Sequence, residues 1–581
     1  MGGAACTCCG GHGAPSPSSW PIESISRVGV PAEVSSAPGK KLEVASRFPT
    51  YALPMAAFQQ LSSMKTHESL SSALVEPEES EIMHFISHEW LGLQHPDPDG
   101  RQLDVIQRIF NTFTEGRARS LFEPADFADL LQEHLTERSF QEALGEDVAA
   151  HMLRDHVSDG CVWLDYHSIP QEDKGVLFMQ AVEGLPRFVE RSNYFWICAP
   201  RAVHSEFQEQ RNFYTWRCRG WCRLEETMNY ISSTIKMPLV VSSATAVATL
   251  GGLLDWANFH LGRPDFSIGN GCFTCCQLNH KMRAADGEVQ TIPCDKLTVS
   301  PLLLDAYRAF SEKQKGAGDG FKRRVILRLA PDMFAGMPPQ SSWPIPSNLQ
   351  AALALLNCSS LAVIDEYGMH AALMIISNAP FTVVKKMLAS KPETLFLRSR
   401  DGCTALQAAV HRPKEEFKEL LDMLPNDVKK NEISAPTTLG HTAVDRAAKY
   451  GFHDNLRSLI ECQADLEPQR DDDGCTPLLS ACRSGYPICC ELLLEHGASV
   501  HAVTFKKQTA LHLAVELICP HGHPQLESRV RVLQCIVAAR ANTSSVDDAG
   551  RTAVQVAQDT GFIEAERLLQ AMGIAPRRSD L

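Results

Sequence analysis

The stretch GCTPLLSACRSGYPICCELLLEHGASVHAV, residues 474–503, decides how the second half of this chain is read. It holds two short apolar segments, separated at Gly485 and closed at Gly497. Thr476 is placed to accept from the unpaired N–H groups of a helix start, and Pro477 falls in the first turn, where a missing N–H costs nothing. Ala481 is small where two helices must approach, Leu492, Leu493 and Leu494 supply a second apolar stripe, and Gly497 suits the left-handed residue that ends a helix. The stretch predicts a pair of packed helices.

Working outward, the same phrase recurs. HAALMII begins at His370, TALQAAV at Thr404, TAVDRAA at Thr442, TPLLSAC at Thr476, TALHLAV at Thr509 and TAVQVAQ at Thr552. Successive starts are 34, 38, 34, 33 and 43 residues apart. Residues 474–503 resemble the ankyrin consensus, whose period is about 33 residues, and the resemblance extends over about 360–572. It implies a helical solenoid of about six repeats over 351–574 that binds a protein partner on its concave surface. Asp471, Asp472, Asp473, Phe505, Lys506 and Lys507 are the expected contact tips, with solvated charge as the competing reading.

The chain has 581 residues, room for about three or four domains. Its 44% hydrophobic and 21% charged residues are those of a globular protein. A net charge of −14 and a pI near 5.8 argue against a sequence-independent nucleic-acid binder. The 20 cysteines are scattered and follow no secretory signal, so a cytoplasmic protein with reduced thiols is expected. Residues 237–254 lack charge, but their Pro, Ser, Thr and Gly content favours a strand, a loop and a helix over a membrane span.

Residues 1–78 are rich in Gly, Ser, Pro and Ala and predict a disordered arm. Its tip carries Gly2, the residue N-myristoylation requires, with Cys6, Cys8 and Cys9 nearby as palmitoylation candidates. Position 6 is Cys where the myristoylation pattern wants Ser or Thr, so membrane tethering is expected only if the terminus is acylated.

From residue 81 short apolar runs alternate with helical stretches. The runs are IMHFIS (82–87), CVWLDY (161–166), YFWICAP (194–200) and PLVVS (238–242), with helices expected near 103–113, 176–191 and 220–232. This alternation predicts an α/β unit with a parallel sheet over 79–242, carrying a helical insertion at 114–159. A cysteine-containing extension is expected over 243–312, a linker over 313–350, and a tail over 575–581.

The phrases FISHEW (85–90), VWLDYHSIPQ (162–171), YFWICAP and RGWCRLEE (219–226) make this region resemble a divergent Toll/interleukin-receptor (TIR) domain, of flavodoxin-like fold. The resemblance implies self-association, and it implies that Glu225, in the Trp-Cys-x-x-Glu phrase, matches the catalytic glutamate of those TIR domains that cleave NAD. Ser87, His88, Trp90, Asp165 and His167 fall at or just past two strand ends, the edge where open α/β sheets bind ligands, and Trp221 is expected to share a helix face with Glu225. The competing reading leaves Trp221 in the core, Glu225 solvated and Asp165 in a turn.

Cys272, Cys275, His280 and Cys294 offer enough soft ligands for one tetrahedral zinc ion, with buried thiols in a hairpin-like extension as the alternative. No cofactor is otherwise expected. The functional expectation is an adaptor that binds a protein through its repeats and self-associates through the α/β unit. The alternative is an NAD-cleaving hydrolase using Glu225, with NAD as substrate and the repeats as its localising element.

Overall fold

A computed structural model describes residues 48–571, apart from 135–146, 173–174, 261–265, 284–288, much of 315–346, 357, 365–367, 517–525 and 561. The acylation candidates Gly2, Cys6, Cys8 and Cys9 and the tail lie outside the described residues.

The first half is built on a six-stranded sheet: β1 (Leu53–Pro54), β2 (Met83–His88), β3 (Cys161–Trp163), β4 (Tyr194–Cys198), β5 (Pro238–Ser243) and β6 (Ala246–Thr249), in the order β1-β3-β2-β4-β5-β6. The four central strands are parallel, with Phe85 opposite Trp163 on one side and Phe195 on the other, and Trp196 opposite Leu239. β1 and β6 run antiparallel at the two edges. Central parallel strands are covered on both faces, which explains why β2 is buried along its whole length and reads as a continuous apolar run.

Alternation sorts the side chains of β2 between two cores. Met83 and Phe85 join Trp163, Phe195 and Val240, covered by α2 (Leu185–Arg191), α3 (Phe213–Cys218) and α4 (Gly220–Ile231). Ile86 joins Val162, Trp196 and Val241, covered by α1 (Arg101–Thr114) and the insertion helices Pro124–His134 and Asp147–Ser158. Phe85 stacks between Trp163 and Phe195, with centroids at 4.4 and 5.3 Å, so the middle of the sheet is held by aromatic contact across three strands.

Three boundaries differ from the sequence reading. The expected disordered arm is ordered from Phe48 onward, because Leu53 and Pro54 pair with Val162 and Cys161 while Met55 and Phe58 fill the second core. The sheet runs past residue 242 to Thr249 through the β5–β6 hairpin. Within the expected linker 313–350, Val325, Ile326, Leu329 and Met333 are buried in the α/β core, so this segment packs on the domain.

Among the described residues the second half holds six helix pairs, from Ala371–Asn378 with Phe381–Ser390 to Ala553–Thr560 with Ile563–Ala571, together with the helices Leu349–Leu355 and Asn426–Ser434, around one continuous apolar core. Thr476 accepts from the backbone N–H three residues on at 3.4 Å, as expected for a helix cap, and Thr404 and Thr442 do the same at 3.1 and 3.2 Å. The turns ahead of them place Gly402, Gly440, Gly474 and Gly550 at φ between 74° and 80°; the corresponding residue of the fifth unit is Lys507, at φ 56°. Replacing Thr476 by Ala removes one such cap and is expected to lower stability by about 1 kcal/mol, read as a fall in the urea midpoint with unchanged slope.

Both halves meet at α3. Tyr214 is 2% exposed and belongs to the apolar core of the helix stack, although it lies in the α/β half of the sequence.

Candidate functional site

The carboxyl ends of β2 and β3 and the first turns of α4 come together at one edge of the sheet. Ser87 is the penultimate residue of β2, and its hydroxyl donates to Glu225 Oε2 at 2.5 Å while accepting from Trp216 Nε1 at 3.0 Å. His88, the next residue, reaches Asp165 Oδ1 through Nε2 at 2.8 Å and Gln102 Oε1 through Nδ1 at 2.9 Å. Trp90 Nε1 donates to Asp165 Oδ2 at 2.9 Å. Ser87, His88, Trp90, Asp165 and Glu225, singled out from sequence, thus form two hydrogen-bonded groups, Ser87 with Glu225 and His88 with Asp165 and Trp90, joined through the adjacent Ser87 and His88 and by charge. Ser87 and His88 are buried; Asp165, Trp90 and Glu225 keep partial solvent contact, so the set opens outward.

Electrostatics separate the two carboxyls. Burial pushes Glu225 up to about 8, reinforced by the nearby Asp165 charge; the Ser87 hydrogen bond and His88 only partly oppose this. Asp165 is also penalised by burial, yet His88 and the Trp90 hydrogen bond hold it below its ordinary value. Burial alone would lower His88, but the Asp165 carboxylate, aided by Gln102 and Glu225, raises it to about 9. At neutral pH the site therefore holds a His88–Asp165 ion pair beside a protonated Glu225. Two carboxyls with opposed shifts in one crevice are a pattern of acid–base sites.

Two predicted members lie elsewhere. His167 is 1% exposed, with Nε2 bonded to the Val162 carbonyl at 3.1 Å and its ring against Phe58; burial drives it down to about 4. The short helix Asp165–Ser168 turns it into the core, away from Glu225. Trp221 packs on the α/β core and donates to Asp295 Oδ2 at 3.0 Å, bracing α4 against α6 (Asp295–Gln314).

Sequence reasoning missed three supporting residues. Trp216 fixes the Ser87 hydroxyl, and Gln102 orients His88 while donating to the Glu89 carbonyl at 2.8 Å. Glu89 is 5% exposed and faces Arg211 at 3.1 Å and Arg219 at 3.9 Å. Burial raises Glu89, with the two arginines opposing, and the pair of cations ties β2 to the entrance of α4.

The predicted zinc set is rearranged. The sulfurs of Cys275, Cys276 and Cys294 lie within 4.8 Å of one another, whereas Cys272 is exposed and its backbone pairs with Cys218 and Gly220. Burial pushes the Cys275 thiol up to about 11. A separate cavity of about 710 Å³ is lined by residues including Phe48, Arg187, Glu190 and Lys313, and none of the crevice residues borders it.

Along the helix stack, the predicted tips lock to one another: Phe505 N–H bonds the Asp473 carbonyl at 2.9 Å, and Asp548 N–H bonds the Lys506 carbonyl at 3.0 Å. Asp473 also ion-pairs with Arg470 and Arg483; despite a burial penalty, these cations hold its carboxyl far below the usual range. These pairs give it a role within the stack. Asp471, Asp472, Phe505, Lys506 and Lys507 stay exposed, joined by Leu439.

The family profile for ankyrin repeats, in three copies, matches residues 446–526. The chain carries ankyrin repeats. A potassium channel of Arabidopsis thaliana, AKT2/3, is similar at 23% identity over 218 residues, covering 31% of this chain and 25% of the channel. The aligned part is thus about a quarter of that relative's length. The protein combines a mixed α/β N-terminal region with a helical ankyrin region, and repeats of this kind generally mediate binding of protein partners. No helix among the described residues is long and apolar enough to cross a membrane.

Proposed function

We propose that this chain recruits a protein partner on its ankyrin surface, and that its α/β region is a TIR-like unit that gathers copies of the chain and cleaves the nicotinamide–ribose bond of NAD around Glu225. The observation that carries the catalytic part is the Ser87–Glu225 pair at the carboxyl edge of the parallel strands. Numbered along the chain, the four parallel strands stand in the order 2-1-3-4, an order that supports a flavodoxin-like reading, and open parallel sheets bind ligands at that edge. The Trp-Cys-x-x-Glu phrase of the TIR resemblance supplies Glu225 itself. We assign the protein to the cytoplasm, where its buried cysteines remain thiols.

In this reading the carbon–nitrogen bond of NAD breaks with its electron pair moving to the nicotinamide ring, which leaves neutral and needs no acid. Positive charge develops on the ribose, and ionised Glu225 stabilises it. Water adds to the anomeric carbon and releases a proton, giving ADP-ribose and nicotinamide. Ser87 orients the carboxylate, and the His88–Asp165 pair holds the facing wall of the crevice.

Because the working form of Glu225 is the anion, kcat/KM for NAD is expected to rise with pH and level off above about 8. The Glu225→Gln variant should lack that limb. A profile flat or falling between about pH 6 and 9 would count against the assignment. An adaptor without catalysis is the second reading, favoured by the exposed Leu439 and Phe505 among the repeat tips; it expects partner binding that survives loss of Glu225.

A further inference from the structure

The extension after the sheet carries a thiol cluster with the dimensions of a metal site. Cys275 and Cys276 lie in α5 (Thr274–Gln277), and Cys294 immediately precedes α6. The Sγ of Cys276 is 3.9 Å from that of Cys275 and 3.9 Å from that of Cys294, with all three sulfurs within 4.8 Å of one another. A tetrahedral ion with bonds of about 2.3 Å to sulfur holds its thiolates about 3.8 Å apart, so these spacings need little adjustment.

Two further observations point the same way. The Asp295 N–H donates to Cys275 Sγ at 3.3 Å, the kind of backbone hydrogen bond that supports a metal-bound thiolate. The backbone of His280 is anchored beside the cluster, its N–H bonded to the Cys275 carbonyl at 2.7 Å; its Nδ1 is buried without a hydrogen-bond partner, and its ring nitrogens lie outside the group formed by the three sulfurs. A buried imidazole nitrogen left unpaired is costly, and a metal would satisfy it.

We propose that Cys275, Cys276 and Cys294 bind one zinc ion as thiolates, with His280 completing a tetrahedral set after a turn of its side chain. Zinc binding releases the thiol protons to solvent and cross-links α5 to the start of α6. Both elements grip the opening of α4: Arg219 bonds Thr274 and Gln277, Trp221 bonds Asp295, and Gly220 N–H bonds the Cys272 carbonyl. The ion is therefore a structural clamp on the helix that presents Glu225. This inference is independent of whether that residue is catalytic.

The test is metal analysis of the full-length chain, purified under reducing conditions without chelator, followed by cobalt(II) substitution. About one zinc per chain is expected, with cobalt giving thiolate charge-transfer and tetrahedral visible bands. Cys294→Ser should lose the bands, and Cys272→Ser should keep them. Should Cys294→Ser fail to fold, titration of the wild type with an organomercurial should release the zinc in step with thiol modification. Zinc well below one per chain, or equal loss in Cys272→Ser, would overturn the proposal. Preferential copper(I) retention unaffected by His280→Ala would overturn it too, in favour of a three-coordinate site.

Discussion

Arg529→Ala is expected to lower the stability of the helix stack by about 2–4 kcal/mol, through lost carbonyl partners and lost packing. Arg529 is 0% exposed and lies under Gly485, where a Cβ would come within 2.8 Å of its Cγ. Its Nη1 donates to the Glu516 carbonyl at 2.5 Å and the Ala514 carbonyl at 3.4 Å, and Nη2 donates to the Arg483 carbonyl at 2.8 Å. These carbonyls close the helices Pro477–Ser484 and Ala510–Ala514, so one guanidinium serves two negative helix ends. It also stands 5.1 Å over the Tyr214 ring, joining the repeats to α3. Alanine leaves the carbonyls unpaired and a cavity beside Tyr214. Lysine lacks the planar fork and should rescue little. Tyr214→Ala, which empties a buried core site as well as removing the stacked ring, should also lower the midpoint in the same urea titration. A midpoint for Arg529→Ala within error of wild type would refute this account of the junction.

Glu225→Gln is expected to raise stability at alkaline pH while leaving it almost unchanged in acid. The folded carboxyl sits at about 8 against an ordinary value of 4.5, so between those limits the folded chain keeps a proton that the unfolded chain has released. Stability from this group is full below pH 4.5 and declines as pH rises through about 8. Glutamine has no proton to lose. At pH 9 the variant should gain on the order of 2 kcal/mol, a figure already reduced for the partial solvent contact of the site, and melt several degrees higher. His88 and Asp165 titrate in both proteins, so their contributions cancel in the comparison to first order. Equal melting temperatures at pH 5 and pH 9 would show that Glu225 is not held protonated.

The repeats were the most legible part of the chain because their information is local. Thr476 caps its helix as its place in the unit predicted, and the recurring Thr404 and Thr442 cap theirs in the same way. The four parallel strands were equally readable as short apolar runs; the second ends at Trp163, earlier than expected, because Asp165 begins a helical turn. That same turn sent His167 into the core, an orientation no strand pattern encodes. The edge strands β1 and β6 are 2 and 4 residues long and depend on partners already in the sheet, so composition alone gave 48–78 as disordered. Trp216, Gln102 and Cys276 acquire their roles only when residues distant in sequence come together. The expected 176–191 helix is two, broken at Gly184 where a Cβ would meet the Phe188 ring at 2.7 Å.

The role of Glu225 is decided by nicotinamide release from NAD by the full-length chain, alone and with a crowding agent that brings copies together. Wild type is set beside Glu225→Gln, with a thermal transition confirming that each is folded. The account predicts release by the wild type and a loss of at least about 100-fold in the variant, the scale on which removal of one charge-stabilising group acts. Release by the variant at the wild-type rate, or none from folded wild type under either condition, would contradict it.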